Sequence, residues 1–174
     1  MTVDALKAAP LLFLAVIVQV SILYGVDVVG GRPDLVLVAL VLVALLRGAI
    51  FGAIAGFFAG FLLDAAQLST LGVSALVLTV VGYWIGRYGE TTGRDRAHAP
   101  FLSVAVVTVL TAFGLLLLHA VLGEHVPVHA ILIDSLVPSI VCNVLLTFPV
   151  YALCRRLLRP RESTERAHEV ELLA

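Results

Sequence analysis

Apolar residues run along this chain in long blocks, and the polar residues that break them up come in short clusters. The blocks fall at about 8–24, 34–46, 48–63, 71–88, 100–122 and 128–154, separated by "GVDVVGGRPD", "RG", "DAAQLST", "GETTGRDRAHA" and "GEHVP". All but the second approach the ~17–25 residues that a helix needs to cross a bilayer. The second, Asp34 to Leu46, would span only roughly 20 Å and reads as a short buried span inside a compact bundle. Fusing it with the third would give a helix of about 45 Å. That fusion would also strand Arg47 mid-membrane, at about 2.5–3.5 kcal/mol. A bend at Arg47–Gly48 avoids both. The pattern therefore predicts an all-α integral membrane protein, a compact bundle of six transmembrane helices over residues 1–158. Residues 159–174 form a mixed-charge tail expected to be flexible.

Composition supports the class. Of 174 residues, 61% are hydrophobic and 13% charged, against about 45–50% and about 25% in soluble domains. The formal net charge of −1 gives no reason to expect a nucleic-acid partner, so the placement of charge carries the information. Six spans put Lys7, Arg47, Arg87, Arg94, Arg96, Arg155, Arg156, Arg159, Arg161 and Arg166 on one side and only Arg32 on the other. By the positive-inside rule both termini are then cytoplasmic. A five-span reading with the N-terminus outside stays open, because the parity rests mainly on Arg47. Cys142 and Cys154, twelve positions apart on one helix, would stand roughly 18 Å apart, too far to pair. The first apolar run lacks a clean cleavage site and reads as a transmembrane helix rather than a signal peptide.

"GAIFGAIAGFFAGFLLD", residues 48–64, sets Gly48, Gly52, Gly56 and Gly60 at four-residue spacing and closes on Asp64. Glycine costs a helix about 1 kcal/mol against alanine. In lipid, however, helices associate through close packing of small residues. The four glycines form a small ridge, and a second runs through Ala75, Thr79, Gly82 and Gly86. A third, small and weakly polar, runs through Ser135, Ser139, Cys142, Asn143 and Thr147. Such surfaces serve helix packing within the chain or a groove for a partner, including a second copy in a homodimer.

Ionisable residues within apolar spans are candidates for function. Asp64 ends the third helix, where the dipole disfavours a carboxylate, so it needs open water or a partner such as the start of the fourth helix. Asp34 follows Arg32 and Pro33 at the start of the second helix, which suits a first turn, and Arg32 could pair with Asp34 or Asp64. Pro138 and Pro149 remove backbone bonds to the carbonyls of Asp134 and Leu145, so bending is expected in the last helix. Gln19 and Asn143 should bond across helices. His119, His125 and His129 are too scattered to read as metal ligands. Arg155, Arg156, Arg159 and Arg161 form a basic cluster suited to anionic lipid or a cytoplasmic filament. No nucleophile stands beside a base and no phosphate loop follows a strand, so neither an enzyme nor a cofactor is expected.

The order of features over residues 31–87 resembles the rod shape-determining protein MreD family. Arg32-Pro33-Asp34 opens a short helix and Arg47-Gly48 ends it. A glycine-ridged helix then runs from Gly52 to Asp64, followed by Leu71-Gly72 with Ala75 and a helix ending Gly86-Arg87. The resemblance implies a non-enzymatic component of the bacterial plasma membrane, in the machinery that elongates the cell wall. The partners it implies are a single-span MreC-like protein, MreB, RodA and penicillin-binding protein 2. The six-span layout is also similar to the S components of energy-coupling-factor transporters. That likeness offers an alternative: a subunit binding a vitamin-sized molecule in a polar pocket near Asp34, Asp64 and Asp134.

Overall fold

A computed structural model describes residues 2–25, 30–92, 98–123 and 135–157. Among these residues the chain forms six α-helices: α1 (Thr2–Ser21), α2 (Leu35–Arg47), α3 (Ala49–Gln67), α4 (Val73–Thr92), α5 (Ala99–Val121) and α6 (Leu136–Leu157). A single 3-10 turn, Leu23–Gly25, follows α1.

The short second helix is the axis of the bundle. It is apolar on every face, and a helix of that kind must be buried all round. Accordingly α1, α3, α4, α5 and α6 all pack on it, and Val36 through Ala44 are no more than 2% exposed. At 13 residues α2 is about 20 Å long, and it gains its stability from that enclosure rather than from its own length.

The expected break between α2 and α3 occurs at Gly48. Its φ of 95° lies in the left-handed region, which glycine adopts without the Cβ penalty of other residues. Its N–H donates to the Ala44 carbonyl at 2.8 Å, closing α2 as α3 begins. The chain then folds back as an antiparallel pair, α3 against α4, by far the most extensive helix contact in the molecule.

Several ends differ from the hydropathy reading. Helix α3 continues through Asp64 to Gln67 and is capped by Leu68 in the left-handed conformation. Helix α4 continues past Tyr88 to Thr92, because Gly89 and Glu90 both contact the preceding helices. Helix α6 is described from Leu136 onward, and its expected start near 128, with Asp134, lies outside the described residues. Pro138 lies near the start of the described part. Pro149 lies inside the helix.

The outside of the bundle is apolar. Phe13, Phe58, Trp84, Leu117 and Phe148 are all exposed. In water such a surface would drive aggregation; in lipid it is the natural exterior. Helices α3, α5 and α6 contain stretches long and apolar enough to cross a membrane, and α1 and α2 add shorter apolar ones. The molecule is an all-α membrane bundle.

Candidate functional site

The first ridge and the second face one another. A Cβ on Gly52 would land on the Gly82 carbonyl oxygen, and one on Gly82 would land on the Gly52 carbonyl oxygen. A Cβ on Gly56 would meet the Leu78 carbonyl group, with its carbon 2.6 Å away, and one on Gly60 would lie 2.5 Å from the Ala75 Cα. A Cβ on Gly86 would meet the Gly48–Ala49 backbone. Thr79 donates its hydroxyl to the Ala75 carbonyl at 2.6 Å, so its polarity is satisfied within its own helix. Gly89, which the sequence pattern did not single out, carries the seam one turn further, against the Leu45 carbonyl of α2. The ridge is thus filled by α4 of the same chain. A partner helix or a second copy has no open groove at Gly52, Gly56 or Gly60.

A carboxylate closes the α3–α4 pair at each end. Asp64, fully buried near the end of α3, accepts from the backbone N–H of Gly72 at 2.9 Å, Ser74 at 3.1 Å and Ala75 at 3.4 Å, and from the Ser69 hydroxyl at 3.3 Å. It therefore answers the unpaired donors at the start of α4 and gains from that helix's positive end. Glu90, near the end of α4, accepts from the Ala49 N–H at the start of α3 at 2.9 Å and meets Arg87 at 3.3 Å. Each helix supplies the other's N-terminal cap. Only Asp64 was visible in the apolar pattern; Glu90 lies in a polar cluster that reads as a loop.

A second polar centre sits where α2 begins. Asp34 caps that helix, its Oδ1 accepting from the Leu37 N–H at 3.0 Å. Its own N–H donates to Asn143 Oδ1 of α6 at 2.7 Å, and Asn143 Nδ2 donates to the Thr108 hydroxyl of α5 at 3.0 Å. From the other side, the Gln19 amide of α1 accepts from the Leu35 N–H at 2.8 Å and donates to the Pro33 carbonyl at 3.1 Å. The backbone N–H of Arg32 donates to the Ser139 hydroxyl at 3.1 Å. This places the expected cross-helix roles of Gln19 and Asn143 on the same few backbone groups. Gly31 makes the approach feasible, since a Cβ there would overlap the backbone of Pro138 and Ser139, 2.5–2.6 Å away.

Asp34 and Asp64 do not share a pocket; each serves a different helix start. The recess beside Asp34 has a volume of about 150 Å³, below the ~300–1,000 Å³ usual for sites that enclose a small-molecule ligand. Arg47 ends α2 and is half-buried, while Arg155 and Arg156 are exposed in the last turn of α6. Arg159 and Arg161 lie outside the described residues, as do His125 and His129. His119 bonds the Leu115 carbonyl at 2.7 Å. Among the described residues no three His, Cys, Asp or Glu come together in a way that could hold a metal.

Two apolar grooves open on the lipid-facing surface. One, of about 490 Å³, lies between α1 and α3, with Ala8, Ala55 and Ala59 as its floor and Phe13, Phe51 and Phe58 as its walls. The other, of about 470 Å³, lies between α4 and α5 above Gly114, with Trp84 at its rim.

The family model for rod shape-determining protein MreD matches residues 5–157. No curated protein and no solved structure matches the chain. A match over that span, six helices and the α2–α4 motifs included, shows that the chain belongs to the MreD family.

Proposed function

We propose that this member of the rod shape-determining MreD family is a non-enzymatic membrane scaffold of the bacterial cell-wall elongation machinery. In this reading it binds a single-span MreC-like protein and links it to the synthase pair, RodA and penicillin-binding protein 2, with MreB beneath the membrane. All six helices cross the plasma membrane and both termini are cytoplasmic. Family membership over residues 5–157 carries the reading.

The packing supports it and relocates the docking surface. With the glycines of α3 consumed inside the α3–α4 pair, the α1–α3 groove still offers a small-residue surface to lipid. Ala55 and Ala59 are one helical turn apart, 9% and 2% exposed, beneath walls of phenylalanine. A small floor between large walls is the shape that lets a crossing helix approach closely in lipid. The caps at Asp64 and Glu90 tie both ends of α3 to α4 beneath it. The recess at Asp34 is too small for a vitamin-sized ligand, which weighs against a transporter subunit.

The test is what a tagged copy carries out of native membranes under mild detergent. The scaffold reading expects a single-span membrane protein in fixed ratio, with synthase components in lower yield. Recovery without any single-span protein contradicts it.

A further inference from the structure

Among the described residues, the recess at the start of α2 holds a polar group that nothing answers. Thr111 of α5 is 6% exposed and lines this recess, yet its hydroxyl has no hydrogen-bond partner. One turn away, Thr108 satisfies itself by donating to the Val104 carbonyl at 2.8 Å. Inside a membrane an unanswered hydroxyl costs free energy that water would otherwise offset. The neighbouring groups also point to an occupant. Ser139 spends its oxygen on the Arg32 N–H, leaving its own O–H to donate, and the Asn143 amide has a second hydrogen beyond the one given to Thr108. Arg32, which is exposed, and Asp34 also line the recess. Leu115 and Leu136 supply apolar lining.

The depth matters too. Helix α2 starts level with Asn143, about 10 Å along α6 from Leu136. Its first turn lines the recess together with α5 and α6. A donor-rich recess with one carboxylate, opening between two apolar helices, fits a group that combines acceptor oxygens with a cation and trails hydrocarbon.

We infer that this recess binds the phosphoethanolamine headgroup of a membrane phospholipid. The phosphate oxygens accept from Thr111 and Ser139, the ammonium faces Asp34, and the acyl chains leave along the α5–α6 surface. The inference stands apart from the scaffold reading, since it concerns the chain alone.

Native mass spectrometry of the purified, delipidated protein tests it, with phosphatidylethanolamine, phosphatidylcholine and phosphatidylglycerol of matched chains added in turn. Phosphatidylethanolamine is expected to bind best. Thr111→Val should lower that binding about threefold to tenfold, the worth of one hydrogen bond. The same variant should not lower lipid-free thermal stability and should raise it slightly, because it removes a buried hydroxyl that has no partner; a threonine with a structural hydrogen bond would lose stability instead. Asp34→Asn keeps a good helix cap and should erase the preference for ethanolamine over choline. Ser139→Ala gives a second reading if Thr111→Val fails to fold. Equal binding of all three lipids, unchanged binding in both hydroxyl variants, or equal binding of phosphoethanolamine lacking acyl chains would overturn the assignment.

Discussion

Gly52 of α3 and Gly82 of α4 meet backbone to backbone, each occupying the space where the other's Cβ would stand. Any side chain at either position must push the two helices apart. Overpacking of this kind costs about 1–3 kcal/mol, and here the obstacle is a carbonyl group that cannot rotate away. Gly52→Ala and Gly82→Ala should each lower the midpoint of thermal unfolding in detergent, and Gly52→Leu should abolish the folded state. By contrast Gly123, with open space around its Cβ position, is restrained only by its φ of 76°, so Gly123→Asn should be tolerated.

The end caps of the same pair are unequal. Asp64 is fully buried and answers three backbone N–H groups, while Glu90 answers the Ala49 N–H beside an exposed ion pair. Leaving a buried donor unanswered costs about 1–3 kcal/mol, and loss of a single helix cap typically about 1 kcal/mol. Asp64→Ala should therefore destabilise by several kcal/mol and Glu90→Ala by roughly 1 kcal/mol. Asp64→Asn, which keeps one acceptor oxygen and aims an amide NH₂ at a donor, should fall between them. Denaturation of the purified variants in mixed micelles ranks them.

These caps show how far the sequence could be read. The four-residue glycine spacing and the continuous apolar run of α2 declared a tight seam and an enclosed helix, because small residues and the lack of a polar face have few other uses in lipid. Asp64 stood out as a carboxylate at an unfavourable helix end. Glu90 did not, since "GETTGRD" loses hydropathy while keeping helical backbone, and only the return of α4 alongside α2 and α3 gives it a partner. Gly31 and Gly89 were equally silent. Their neighbours, Pro138 and Leu45, lie far away in the chain, and closeness of that kind has no periodicity.

Gln19 and Asn143 hold the same segment from opposite sides, one at Pro33 and Leu35, the other at Asp34. Side-chain hydrogen bonds between membrane helices average about 0.6 kcal/mol, but these two act on one stretch of backbone. Gln19→Leu and Asn143→Leu should each destabilise by about 1–3 kcal/mol, since each orphans a backbone N–H. The double variant should lose less than the sum, because once either tether goes the segment can shift to find other partners. A double-mutant cycle on thermal unfolding measures the coupling; strict additivity would mean that the tethers are independent.

The central claim is that the glycines close the chain on itself while the α1–α3 groove faces outward. A photo-crosslinking residue placed at Phe58, on the wall of that groove, and another at Trp84, beside the α4–α5 groove, separate the two surfaces in native membranes. A single-span partner captured strongly from position 58 and weakly from position 84 is the expected result. Capture from 84 alone, or from neither, contradicts it.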